Sequence, residues 1–110
     1  MSEIDGRLDV IDHFAVQVSD IASAVHWYRD RFACEVDFQD ETWALLRFQN
    51  VHVALVIPDQ HPTHLAVLRS DAARFGPLSP HRDGTRSVYL DGPAGNAVEV
   101  LWRPEARSNP

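Results

Sequence analysis

The sequence predicts an α+β fold made of two copies of a strand–helix–strand–strand–strand module, the second copy trimmed. Three observations carry this expectation. Two apolar runs, Ile11–Val18 and Thr63–Leu68, read as strands, and each leads to a Ser-Asp pair suited to capping a helix. Further strand-like runs separated by polar turns follow in both halves. A breaker-rich linker, Pro58-Asp59-Gln60-His61-Pro62, divides the halves. Module one is placed at about 9–58 and module two at about 63–102, within a single domain of 110 residues. Two such modules can form a curved mixed sheet around a shared cleft.

The elements follow in order. Ile11–Val18 is rich in β-branched and apolar residues and reads as the first strand. Ser19-Asp20 offers an N-cap, and Ile21, Ala24, Val25, Tyr28 and Phe32 then fall on one face of a helix over Ile21–Phe32. Cys34–Phe38, Trp43–Phe48 and Val51–Ile57 are strands, with turns at Asp40-Glu41 and Gln49-Asn50. Thr63–Leu68 opens the second module. Ser70-Asp71 caps a helix from Ala72, which Gly76-Pro77 stops after about two turns. A loop, Leu78–Arg86, replaces most of the next strand. Ser87–Leu90 and Asn96–Trp102 close the module as a pair joined by Asp91–Gly95. The polar tail from Arg103 to Pro110 is expected to fray.

Composition narrows the function classes. Apolar residues make up 45% and charged residues 24% of the chain, which is globular composition. No apolar run approaches the roughly 18–20 residues that span a bilayer, and the acidic stretch Met1–Asp9 does not read as a signal peptide. A cytoplasmic protein is expected, with no membrane partner. The net charge is -6 and basic residues form no patch, which argues against nucleic acid. Cys34 is the one cysteine and reads as a buried small hydrophobe. No Gly-rich phosphate loop, Cys cluster or Ser-His-Asp arrangement stands out.

Four segments resemble the glyoxalase, bleomycin-resistance and dioxygenase superfamily, also called vicinal oxygen chelate proteins. They are Ile11–Asp20, Ala24–Asp30, Thr63–Ala66 and Ser87–Val100, the last similar to a closing hairpin that ends in an apolar-Glu-apolar strand. The resemblance runs from about Asp9 to Trp102. It implies a divalent metal site with His13, His64 and Glu99 as ligands. A fourth ligand, Glu in glyoxalase I enzymes, maps to Ala54, which leaves a set more like ring-cleaving dioxygenases and fosfomycin-resistance thiol transferases. Ser87 and Tyr89 match a Ser-x-Tyr of the latter. Ala33, Gly92 and Ala94 depart from the usual pattern. The resemblance further implies a small oxygen-bearing substrate, lyase, isomerase, transferase or dioxygenase chemistry, and a homodimer. The alternative it offers is a metal-free, ligand-sequestering protein of the bleomycin-resistance type, with a vestigial cleft as a third reading.

The residues themselves are compatible with a metal. Two imidazoles and a carboxylate suit Fe, Mn, Ni, Co or Zn and leave positions open for substrate. Glu99 lies in the otherwise apolar Val98–Trp102, where a carboxylate is costly unless engaged; an outward-facing polar position explains it equally. Along the first strand His13, Ala15 and Gln17 share a face. Tyr89 is the candidate catalytic proton donor. Gln17, Arg47, His52 and Ala54 are candidate substrate-binding residues, Arg47 for an anionic group. Trp27 and Tyr28 read as helix packing against the sheet, Trp43 and Trp102 as core or as stacking surfaces, and His26, His61 and His81 as surface or loop residues.

Overall fold

The computed structural model describes residues 8–104. The expected lack of a signal peptide at the N-terminus and the frayed tail concern stretches before Leu8 and beyond Pro104, which lie outside the described residues. Among the described residues eight strands run β1 (Val10–Gln17), β2 (Glu35–Gln39), β3 (Trp43–Arg47), β4 (His52–Val56), β5 (His64–Leu68), β6 (Ser79–Pro80), β7 (Arg86–Asp91) and β8 (Ala97–Trp102). Helix α1 (Ile21–Arg31) follows β1, and a single 3-10 turn, Ala72–Phe75, stands at the equivalent place after β5. The strands form one mixed sheet in the order β2-β3-β4-β1-β5-β8-β7-β6. The α+β class with a trimmed second module is therefore what the chain adopts. Among the described residues no helix is long and apolar enough to cross a membrane.

Backbone contacts divide the chain into two compact units, one spanning His13–Leu65 and the other the segments on either side of it. In the first unit, β1 pairs with β4 in parallel and β2, β3 and β4 form an antiparallel meander. Asp20 caps α1, its carboxylate accepting from the Ser23 N–H at 2.8 Å. The buried side chains Ile21 and Val25 of α1 meet Cys34, Ala44, Leu46 and Leu55, with Val16, Val53 and Tyr28 around them. Leu46 and Leu55 are wholly buried, each contributing about 1.5–3 kcal/mol by burial. Cys34 is part of this core, as expected. All of these strand residues sit on the helix-covered face.

Two aromatic residues of the expected helix depart from expectation. Trp27 is 47% exposed and Phe32 is 51% exposed. Adjacent helical residues point about 100° apart, so Tyr28 facing the core turns Trp27 away. Phe32 is the C-cap with extended backbone, where the helical period no longer applies. Trp27 instead carries the Arg31 guanidinium 4.3 Å above its ring.

In the second unit, the 3-10 turn packs on β7 and β8, with Ala66, Ala72, Val100 and Leu101 buried. The expected two-turn helix is thus cut to four residues, because Gly76, at φ +149°, ends it at once. Asp71 makes no cap bond; its carboxylate takes Arg69 at 2.7 and 2.9 Å and Arg74 at 3.1 Å. β6 pairs with β7 through only Ser79 and Pro80, and β7 pairs with β8 over six residues.

Candidate metal centre

β1 carries His13 near its middle and β5 begins on His64, so alternation sets the direction of each ring. The two imidazoles stand edge to face with centroids 5.5 Å apart. His64 is 7% exposed, and its Nδ1 donates to the Pro62 carbonyl at 2.8 Å. A carbonyl only accepts, so this contact fixes the proton on Nδ1 and Nε2 is the unprotonated nitrogen. Glu99 on β8 is 4% exposed, between buried or half-buried apolar residues. One donor atom of each of His13, His64 and Glu99 lies within 4.8 Å of the other two. Donors around one ion with bonds near 2.1 Å are at most about 4.2 Å apart, a spacing close to this one. The donors also match the borderline cations: neutral imidazoles and a carboxylate.

Register places the remaining candidates. His13 lies beside His52 on β4, and His52 opposite Arg47 on β3; Ala15 lies beside Ala54, and Ala54 opposite Leu45. Gln17 lies beside Val56. Paired residues point to the same side of a sheet. Gln17, Arg47, His52 and Ala54 therefore share the His13 face, opposite the one α1 covers. Ala54 is buried and small, and puts only a methyl group on this face. The Gln17 amide donates to the His61 carbonyl at 2.9 Å and its backbone N–H to the Thr63 hydroxyl at 3.2 Å, which binds the linker to the end of β1. Arg47 and His52 both meet Asp37.

Tyr89 lies directly opposite Glu99 in the β7–β8 pair, so it faces the same side as that carboxylate. Burial, and after it the negative charge of Glu99, hold its phenol above the ordinary value, in the protonated form. It is 37% exposed, within reach of solvent rather than locked in a core.

No protein-family model matches the sequence, and no curated protein matches it. Solved structures do. A glyoxalase/bleomycin resistance protein/dioxygenase superfamily member from Vibrio splendidus 12B01 is 13% identical, with 87% of this chain and all of that one covered, at a TM-score of 0.69. A hypothetical protein from Bacillus halodurans C-125 is 15% identical over 90% and 97% of the two chains, at 0.72. Streptomyces coelicolor methylmalonyl-CoA epimerase is 18% identical over 86% and 96%, at 0.66. The chain has the vicinal oxygen chelate fold.

Within this fold, sequence reasoning passed over two residues. His81, read as a loop histidine, is half-buried; its Nε2 stands 2.8 Å from Ser87 Oγ and 3.6 Å from Glu99 Oε2. Asp37 was given no role, yet it bridges Arg47 and His52. His61 is also less peripheral than expected, with its ring centroid 6.3 Å from that of His64. His26 is exposed, as read. Trp43 stacks on Phe38 at 4.7 Å, and Trp102 carries Arg86 at 5.6 Å. A motif resemblance can find a ligand but not the loop that folds beside it, and only the pairing of β2 with β3 brings Asp37 to Arg47.

Proposed function

We propose that this protein is a metal-dependent enzyme acting on a small oxygen-bearing substrate, with His13, His64 and Glu99 as the ligands of one divalent cation. The observation that carries the reading is the convergence of these three donors within 4.8 Å, two of them buried. A buried carboxylate beside two imidazoles is costly to maintain without a cation or proton among them. Bound there, Fe, Mn, Ni, Co or Zn supplies Lewis acidity toward a substrate oxygen, the common requirement of lyase, isomerase, transferase and dioxygenase chemistry. The protein's own groups do the rest. Pro62 holds the His64 tautomer, and His81 stands against Glu99. Tyr89, opposite Glu99 in the β7–β8 pair, is the group we assign to donate a proton to the substrate.

A second reading, a metal-free ligand-sequestering protein, draws support from the stacked Phe38 and Trp43. Phe38 is 41% exposed, and the pair lies on the face of Ala15 and Ala54, where a flat apolar ligand can lie. Metal content separates the two. Elemental analysis of the purified protein is expected to find about one transition metal per chain. Glu99→Ala, checked for folding by its thermal transition, is expected to lose it. Wild-type protein that stays metal-free after reconstitution with Fe(II), Mn(II), Ni(II) and Zn(II) would overturn the enzyme reading in favour of sequestration.

A further inference from the structure

The helix-free face of the first unit holds one cation with its guanidinium fork turned outward. Arg47 Nε donates to both Asp37 oxygens, at 3.1 and 3.3 Å. Among the described residues its two terminal nitrogens make no hydrogen bond, and its side chain is 53% exposed. The second Asp37 oxygen also takes His52 Nε2 at 3.1 Å. One carboxylate thus orients two side chains. The Arg47 and His52 contacts hold the Asp37 carboxyl below its usual range, so it stays ionised and keeps the arrangement fixed.

From this geometry we infer that Arg47 is the binding group for an oxyanion, a carboxylate or a phosphate, carried by the substrate. The inference rests on the proposed function and deepens it by naming a substrate class. A guanidinium held through Nε presents its two terminal nitrogens as a planar fork, the arrangement that takes both oxygens of one carboxylate or phosphate. Register sets the reach. His13, His52 and Arg47 occupy one row across three adjacent strands, so the Cα atoms of His13 and Arg47 stand roughly 10 Å apart. The substrate is therefore short, with its anionic end a few bonds from the oxygen-bearing end. The neighbouring row is Ala15, Ala54 and Leu45, so an apolar surface with two small side chains borders the path from His13 to Arg47. In a chain of net charge -6, a cation kept in this position is a selective feature rather than part of a general basic surface.

The test is an NMR titration of the whole chain, treated with chelator, using sodium phosphate in one series and sodium acetate in another. Chloride at matched ionic strength is the control. Saturable shifts are expected at the Arg47 guanidinium and the His52 ring. In Arg47→Met, affinity is expected to fall about tenfold or more. The stronger of the two anions identifies the substrate's group. Shifts that chloride reproduces, that fail to saturate, or that persist unchanged in Arg47→Met would overturn the inference. Because the titration needs no metal, its failure leaves the elemental analysis standing, and a metal-free protein leaves this result standing. An unchanged thermal transition in Arg47→Met excludes misfolding as the cause of a loss.

Discussion

Glu99 shows at the level of single residues how far a sequence can be read. Its place in an apolar strand marks it as unusual, and alternation tells that it points with Ala97 and Leu101. The same alternation places Gln17 on the His13 face. His81 carries no such signal: it sits in an irregular loop, and its approach to Ser87 and Glu99 depends on where that loop lands on β7 and β8. Its contact predicts a positioning role. His81→Ala is expected to weaken metal affinity by roughly tenfold while leaving the thermal transition in place, and His81→Gln to recover part of it. Isothermal titration of the metal-free proteins with Zn(II) reads both numbers. Equal affinity in His81→Ala and wild type would remove that role.

At the level of elements, most of what the chain does was legible and the exceptions have physical causes. The strand runs, the Asp20 cap and the break at Pro58–Pro62 follow from local chemistry. The bulge between Val36 and Phe38 does not. It shifts the phase of β2, so that Glu35 opposes Arg47 while Phe38, three residues on, opposes Leu45 on the same face. Period-two reading therefore assigns Phe38 to the wrong side, and its stack with Trp43 could not be foreseen. The closing hairpin gives a test of backbone demand. A Cβ on Gly92 stands 2.3 Å from the Asn96 carbonyl, whereas Ala94 adopts φ +59° with its Cβ in place. Gly92→Ala is expected to lower stability by about 1–3 kcal/mol. Ala94→Gly is expected to leave stability unchanged or raise it by up to about 1 kcal/mol. Chemical denaturation of the two variants checks both, and the opposite order would contradict this hairpin.

Over the whole molecule, the response to acid follows from carboxylates held below their usual range. Arg69 does this for Asp71, a hydrogen bond from Ser23 for Asp20, and Arg47 for Asp37. A carboxyl depressed in the folded chain adds stability that is complete above its unfolded pKa of about 4 and is lost as pH falls through the folded value. Stability is thus expected to decline below about pH 4. Asp71→Asn removes the largest of these shifts and is expected to make thermal midpoints less steep in pH over that window. An unaltered slope would show that Asp71 contributes nothing. The ends of the strand order carry a different consequence. β2 is interrupted by its bulge, and β6 is two residues long with Pro80 lacking an N–H. Neither margin offers an unbroken row of donors and acceptors to a second chain. Strand addition, the route to amyloid-like stacking, is therefore hindered along β2 and β6, and the stretch of β7 past Ser87 that β6 does not pair is where it has the most room.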